Sequence, residues 1–157
     1  MRVELTIIVP AYNEADNLAR LLPTLRQQYP DAELIVVDDG SRDSTSQVAT
    51  DLGARVLRME RNGGKGAALK AGFGIANGDF IVQIDADRQF LPEEIPRLVC
   101  ALRDGADIVF GSRFIPGSCI ETGAMAWTNR IAHIVICWAG WCASGIRVHD
   151  VMAGFKA

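Results

Sequence analysis

Asp85 and Asp87 flank Ala86 directly after the run Phe80-Ile81-Val82-Gln83-Ile84. Alternate residues of an extended segment project to the same side, so these two carboxylates can be presented to one point in space. Such a pair calls for a cation, and an oxygen-rich site suits Mg2+ or Mn2+, which keep some waters and take further oxygens from phosphates. Gln89, two positions on, offers a neutral amide oxygen from the same side. A second acidic group, Asp38-Asp39-Gly40-Ser41, closes another apolar run. Arg61-Asn62-Gly63-Gly64-Lys65-Gly66 puts flexible backbone and a lysine at the mouth of a helix, a place suited to anions. Tyr12 and Glu14, in Pro10-Ala11-Tyr12-Asn13-Glu14, offer an aromatic face for a base or ribose and an acid, and Arg113 follows a fifth run. Each piece alone has an ordinary explanation: a solvated turn for the aspartates, packing for Tyr12, a first-turn acid for Glu14, a solvated Lys65, a surface ion pair for Arg113. Four run ends that each supply acids or cations are harder to dismiss.

The elements that must position these groups follow from alternation. Short β-rich runs at 5–9, 33–37, 55–57, 80–84 and 108–110 are predicted strands, and helices are predicted over 14–28, 44–52, 65–76 and 92–103. Strand followed by helix, repeated, predicts an α/β fold: a mostly parallel central sheet with helices on both faces. The strands are nearly all apolar, as burial on both sides requires. In such a sheet the ligand sits beyond the carboxyl ends of the strands, where the acids and cations fall. The loop after the first strand lacks the GxGxxG and GxxxxGK[ST] patterns, which disfavours dinucleotide and P-loop ATP binding.

At 157 residues and 49% hydrophobic content, a single domain over 1–157 is expected. A net charge of -3, with basic residues scattered, makes nucleic acid an unexpected partner. Cys100, Cys119, Cys137 and Cys142 form no CxxC pair or zinc pattern and read as reduced thiols. The strand-like run near the start is too short and too β-branched for a signal peptide, so cytoplasmic residence is expected. Residues 131–146 are almost continuously apolar, carry Trp138 and Trp141, and are too short to span a bilayer. They read either as a buried helix or as one lying at a membrane interface. The chain stops at Ala157 without a closing element, and an excised piece of a longer protein is expected.

Taken in order, the motifs resemble the family-2 glycosyltransferases with a GT-A fold, and especially their dolichol-phosphate mannose synthase-like branch. The likeness runs through Val9 to Glu14, Val37-Asp38-Asp39-Gly40-Ser41 with Asp43-Ser44-Thr45, Asn62 to Gly66, Asp85-Ala86-Asp87-Arg88-Gln89, Gly111-Ser112-Arg113-Phe114, and Asp150 with Gly154-Phe155. The resemblance implies that Pro10, Tyr12, Glu14, Val37 and Asp39 line a nucleotide pocket and that Asp85 and Ala86 touch the nucleotide sugar. It further implies that Asp87 and Gln89 hold the divalent metal on the diphosphate, with Arg113 near phosphate and Arg130 at a lipid phosphate. The implied reaction is a metal-dependent, inverting transfer of a hexose from a GDP-mannose or UDP-glucose type donor to a polyprenyl phosphate at the cytoplasmic face of a membrane. A phosphate acceptor is already ionised and needs no general base, whereas a sugar hydroxyl would need a carboxylate, for which Asp150 is the candidate. Residues 121–127 lack the basic side chains that commonly precede the arginine of that branch. A saccharide acceptor therefore stays open, as do a nucleotidyltransferase, which also pairs a related sheet with a metal carboxylate, and a non-catalytic sugar-nucleotide-binding module.

Overall fold

The computed structural model describes residues 3–87 and 91–111. One compact unit takes in Met1–Val109 with Phe155–Ala157 and another Phe110–Gly154; the first contains the elements below. These are β1 (Leu5–Ala11), α1 (Ala15–Gln28), β2 (Glu33–Asp38), α2 (Thr45–Asp51), β3 (Arg55–Arg58), α3 (Lys65–Phe73), β4 (Phe80–Gln83), a 3-10 turn (Pro92–Glu94) and α4 (Ile95–Arg103). The four strands form one parallel sheet in the order β3-β2-β1-β4. Successive side chains of a strand point to opposite faces, and the sequence fills both. Ile7, Val9, Ala11, Leu34, Val36, Val82 and Ile84 share a cluster with residues of α1, α2 and α4. Ile8, Ile35 and Val37 pack with Ala68 of α3 on the other side. The predicted α/β sandwich is the fold observed.

Helix α1 supplies Leu18, Leu21, Leu22 and Leu25, spaced to make one stripe and all buried. Each such leucine contributes about 1.5–3 kcal/mol by leaving water. Pro23, which removes one backbone donor, lies on the exposed side. The predicted helix over 92–103 divides between Glu94 and Ile95, just before Pro96. Pro96 has no N–H for the carbonyl of Pro92, which accepts instead from the Ile95 N–H and, at 2.7 Å, from the Tyr29 hydroxyl. The strand expected at 108–110 is reduced to a single β-bridge at Phe110, with Ile108 63% exposed and so lacking the cover a central strand has.

Helix α3 is shorter than the predicted 65–76 and has little amphipathic character. It lies close on the sheet because Ala68 and Gly72, one turn apart, present almost no side chain. The last turn gives way after Gly74 to a bend that brings Asn77 to Glu33, whose carboxylate accepts from Asn77 N (2.9 Å), Asn77 Nδ2 (2.7 Å), Thr6 Oγ1 (2.8 Å) and Arg55 Nη1 (3.0 Å).

A methyl group at Gly72 would stand 2.9 Å from Ile8 Cγ2 and 3.0 Å from Val37 Cγ2. Gly72→Ala gains about 1 kcal/mol in helix propensity but meets an overpacking cost of about 1–3 kcal/mol. Urea denaturation is expected to show a net loss of about 1 kcal/mol, and a variant more stable than the wild type would contradict this tight seating of α3.

Candidate functional site

Because all four strands run the same way, their carboxyl ends lie on one edge, and the loops that follow them meet there. The loop after β1 turns at Asn13, whose φ of 55° lies in the left-handed region that asparagine tolerates better than most residues. Its backbone N–H donates to Ser41 Oγ at 2.9 Å, and its Oδ1 accepts from Arg42 N at 2.8 Å. Glu14 N donates to Thr45 Oγ1 at 3.0 Å, and Ala15 N to Asp43 Oδ2 at 3.3 Å. The Thr45 hydroxyl and N–H in turn both donate to Asp43. The first two loops are thus laced together by short polar side chains that accept backbone N–H groups.

The two aspartates that end β2 divide the work of holding the edge. Asp38 is fully buried; its carboxylate accepts from Ser41 N at 2.8 Å and from the Ser46 hydroxyl, with Arg58 Nε 3.9 Å away. Burial pushes its pKa up, but the bonds from Ser41 and Ser46 and the Arg58 charge outweigh that and hold it below the ordinary carboxylate range. Asp43 is shifted the same way, desolvation being outweighed by the bonds from Thr45 and Ala15. Asp39, 4% exposed, reaches to the loop before α3, where its two oxygens accept from Gly63 N at 2.7 Å and Gly64 N at 2.8 Å. Directly after Asp39, Gly40 has φ of 74°, and a Cβ there would fall 2.8 Å from the backbone of Arg61 and Asn62. Only glycine permits that approach.

These loops enclose a cavity of about 210 Å3. Its wall is Pro10, Ala11, Tyr12 and Glu14 from the end of β1, Asp39 from β2, Lys65 and Ala68 from α3, and Asp85, Ala86 and Asp87 beyond β4. Tyr12 is 41% exposed and presents its ring. Lys65 Nζ lies 2.6 Å from Asp85 Oδ1 and 2.7 Å from Oδ2. Eight of the residues singled out in the sequence, Pro10, Tyr12, Glu14, Asp39, Lys65, Asp85, Ala86 and Asp87, therefore line one cavity. Val37 does not: it is fully buried beneath α3, because the alternation that puts Ile35 on that face puts Val37 there too. Gln89, Arg113, Arg130 and Asp150, like the apolar segment 131–146, lie outside the described residues. The roles of Asp38, Asp43 and Asn13 as N–H acceptors were not read from the sequence; Asp followed within three residues by Ser or Thr is a turn signature that marks the first two, whereas Asn13 accepts from Arg42, 29 residues on, and has no such local signal.

Among the described residues no group of three or more His, Cys, Asp or Glu side chains is placed to hold a metal by itself. Asp85 and Asp87 both line the cavity, and carboxylate oxygens are the donors a hard cation takes alongside water and phosphate.

The family model described as glycosyl transferase family 2 matches residues 6–148. The chain is 33% identical to a polyprenol monophosphomannose synthase of Mycolicibacterium smegmatis over 96% of this chain and 60% of that protein. It is 39% identical to an undecaprenyl-phosphate mannosyltransferase of Micrococcus luteus over 96% of this chain and 64% of that one. The chain thus spans less than two thirds of the length of these relatives. Among solved structures, glucosyl-3-phosphoglycerate synthase of Mycobacterium tuberculosis superposes with a TM-score of 0.76 at 26% identity, over 98% of this chain and 56% of that one. A mannosyltransferase of Pyrobaculum calidifontis in complex with GDP-Man and Mn2+ gives 0.50 at 31% identity, over 55% of this chain and 28% of that one. The fold is the GT-A fold.

Two outcomes follow from the loop contacts. Asp39→Asn leaves one oxygen to serve two N–H groups and turns an NH2 toward one of them. It is expected to lower unfolding stability by about 1–3 kcal/mol, and an unchanged urea midpoint would show that the two glycine amides find other acceptors. Asp38, Asp43 and Glu33 all titrate below the ordinary range in the folded chain; for Glu33 burial raises the pKa, but the bonds from Asn77, Thr6 and Arg55 outweigh it. A depressed folded pKa contributes stability that is complete above the unfolded value, about 4, and is lost as pH falls through the folded values. Denaturation midpoints are expected to hold from about pH 7 to about pH 5 and fall steadily below that; constancy down to about pH 3 would remove these carboxylates from the stability of the fold.

Proposed function

The chain belongs to glycosyl transferase family 2, and from that premise we propose that it carries the donor site of an inverting, metal-dependent enzyme that transfers a hexose from a nucleoside-diphosphate sugar to a polyprenyl phosphate. The observation that carries the reading is the cavity itself, which sets an exposed aromatic ring, an acid, a lysine and the Asp85–Asp87 pair around one space. At about 210 Å3 it accommodates part of a nucleotide sugar, not all of it. In this reading Tyr12 faces the base or ribose, Pro10 and Glu14 complete that end, and Asp85 and Ala86 touch the sugar side. A divalent cation held by Asp87 and Asp85, with Gln89 by family resemblance, would supply positive charge against the leaving diphosphate. Charge grows on that diphosphate as the glycosidic bond breaks, so groups aimed at it act more strongly on the transition state than on the bound donor. Lys65 adds a cation on the chain's own account, and family resemblance assigns Arg113 to phosphate and Arg130 to the acceptor.

Both relatives at 96% coverage are named for transfer to a polyprenyl phosphate, which supports that acceptor for this chain. Among the described residues no helix is long and apolar enough to cross a membrane. A lipid phosphate would bring the chain to a membrane surface, on the cytoplasmic side where nucleotide sugars are met. The alternative is a saccharide acceptor, favoured by the lack of basic side chains over 121–127, and it would need Asp150 as a base.

The donor is tested by thermal unfolding with GDP- and UDP-sugars, with and without Mn2+. One sugar nucleotide with Mn2+ is expected to stabilise the chain by about 2.7 kcal/mol at a hundredfold excess over its dissociation constant, and no stabilisation by any member of the panel would remove the donor site. Labelled donor offered with polyprenyl phosphate or with oligosaccharides then separates the acceptors. Asp87→Ala is expected to lower transfer by about a hundredfold or more with circular dichroism unchanged. Undiminished metal-dependent turnover in that variant would place the cation elsewhere.

A further inference from the structure

Lys65 is the first residue of α3, and nothing on its own helix favours it there. The amino end of a helix carries partial positive charge from unsatisfied N–H groups, so a cation at this position is disfavoured by its own backbone. Its ammonium is nevertheless held at a defined place, 2.6 and 2.7 Å from the two oxygens of Asp85, twenty residues away beyond β4. Both oxygens of one member of the Asp85–Asp87 pair are therefore engaged by a cation of the chain itself. A divalent ion that takes Asp85 must displace that ammonium or share the carboxylate with it, and the two positive charges repel. A diphosphate arriving together with the ion removes the conflict, because its oxygens give Lys65 a new anionic partner within the same cavity.

Resting on the donor-site reading above, we infer that Lys65 is an exchangeable counter-ion: it occupies Asp85 while the site is empty and transfers to the diphosphate when metal and nucleotide bind together. Lys65 thereby couples the two ligands. Each raises the affinity of the other by the same factor, as linkage demands, and neither is bound well alone. The coupling is modest in size, since the Lys65 side chain is 49% exposed and Asp85 23% exposed, and solvent screens a pair of this kind.

The test measures binding of Mn2+ alone to the wild type, Lys65→Met and Lys70→Met by the electron paramagnetic resonance of the free ion, and repeats each with GDP and with UDP. Lys70 lies in the last turn of the same helix and controls for the loss of one positive charge. Lys65→Met is expected to hold Mn2+ alone about fivefold more tightly than the wild type, in line with a partly exposed ion pair, and to lose that advantage when GDP or UDP is present. Lys70→Met is expected to match the wild type. Equal or weaker binding of Mn2+ alone by Lys65→Met, or an equal gain in Lys70→Met, would overturn the exchange while leaving the donor site in place. Failure of the wild type to retain Mn2+ with either nucleotide would overturn the donor-site reading itself, and the exchange with it.

Discussion

A carboxylate taken out of water must be given hydrogen-bond donors or it destabilises the fold by several kcal/mol, and the functional edge of this chain is organised around that requirement. Asp38 and Asp39 end β2 almost without exposure. The first is satisfied within its own turn and by α2; the second by the backbone of the loop before α3. Satisfying Asp39 draws Gly63 and Gly64 to the end of β2 and so places the start of α3, and with it Lys65, at the mouth of the cavity. The close contact of Gly40 with Arg61 and Asn62 belongs to the same constraint, since a side chain there would hold the two loops apart.

The acids of this edge consequently fall into two sets. Asp38, Asp39 and Asp43 accept backbone N–H groups and determine where loops lie. Asp85 and Asp87 lie beyond β4 on the cavity wall, where Asp85 is held by the ammonium of Lys65. Sequence alone does not separate the sets, because Asp38-Asp39 and Asp85-Ala86-Asp87 both end apolar runs. That Asp39 meets the amides of Gly63 and Gly64 while Asp85 meets the ammonium of Lys65 is a property of how the loops cross.

Much of the fold was legible because its period is simple. Runs such as Leu34 to Val37 are apolar on both faces, which only a strand covered twice requires, and α1 carries a clear stripe from Leu18 to Leu25. The strands extend one or two residues beyond their apolar runs, to Ala11, Asp38 and Arg58, since ladder bonds to a neighbour continue past the last apolar side chain. The same period was enough to place Val37 under α3 beside Ile35, and resemblance, not alternation, put it in the pocket. The pairing of Lys65 with Asp85 had no local signal: two residues twenty apart meet only because α3 crosses back over the sheet and β4 returns beside β1. The division of the last helix just before Pro96 was readable from the proline, but the Tyr29 hydroxyl that donates to the Pro92 carbonyl was not, being 63 residues distant.

The charges on the cavity wall bear on why the proposed reaction would require a divalent ion. Among the described lining residues stand the carboxylates of Glu14, Asp39, Asp85 and Asp87 and the single ammonium of Lys65. Two amides from the glycine loop soften Asp39, and Lys65 neutralises Asp85, yet the wall as a whole stays negative. A nucleoside diphosphate brought to such a wall alone meets repulsion, and one lysine cannot both hold Asp85 and attract the phosphates. A divalent cation held by Asp85 and Asp87 would supply positive charge against the leaving diphosphate and would release Lys65 to a phosphate partner. On the proposed reaction, the acids of the wall would serve the binding of an anion through a cation, and the strength of that binding would depend on how readily Lys65 changes partners.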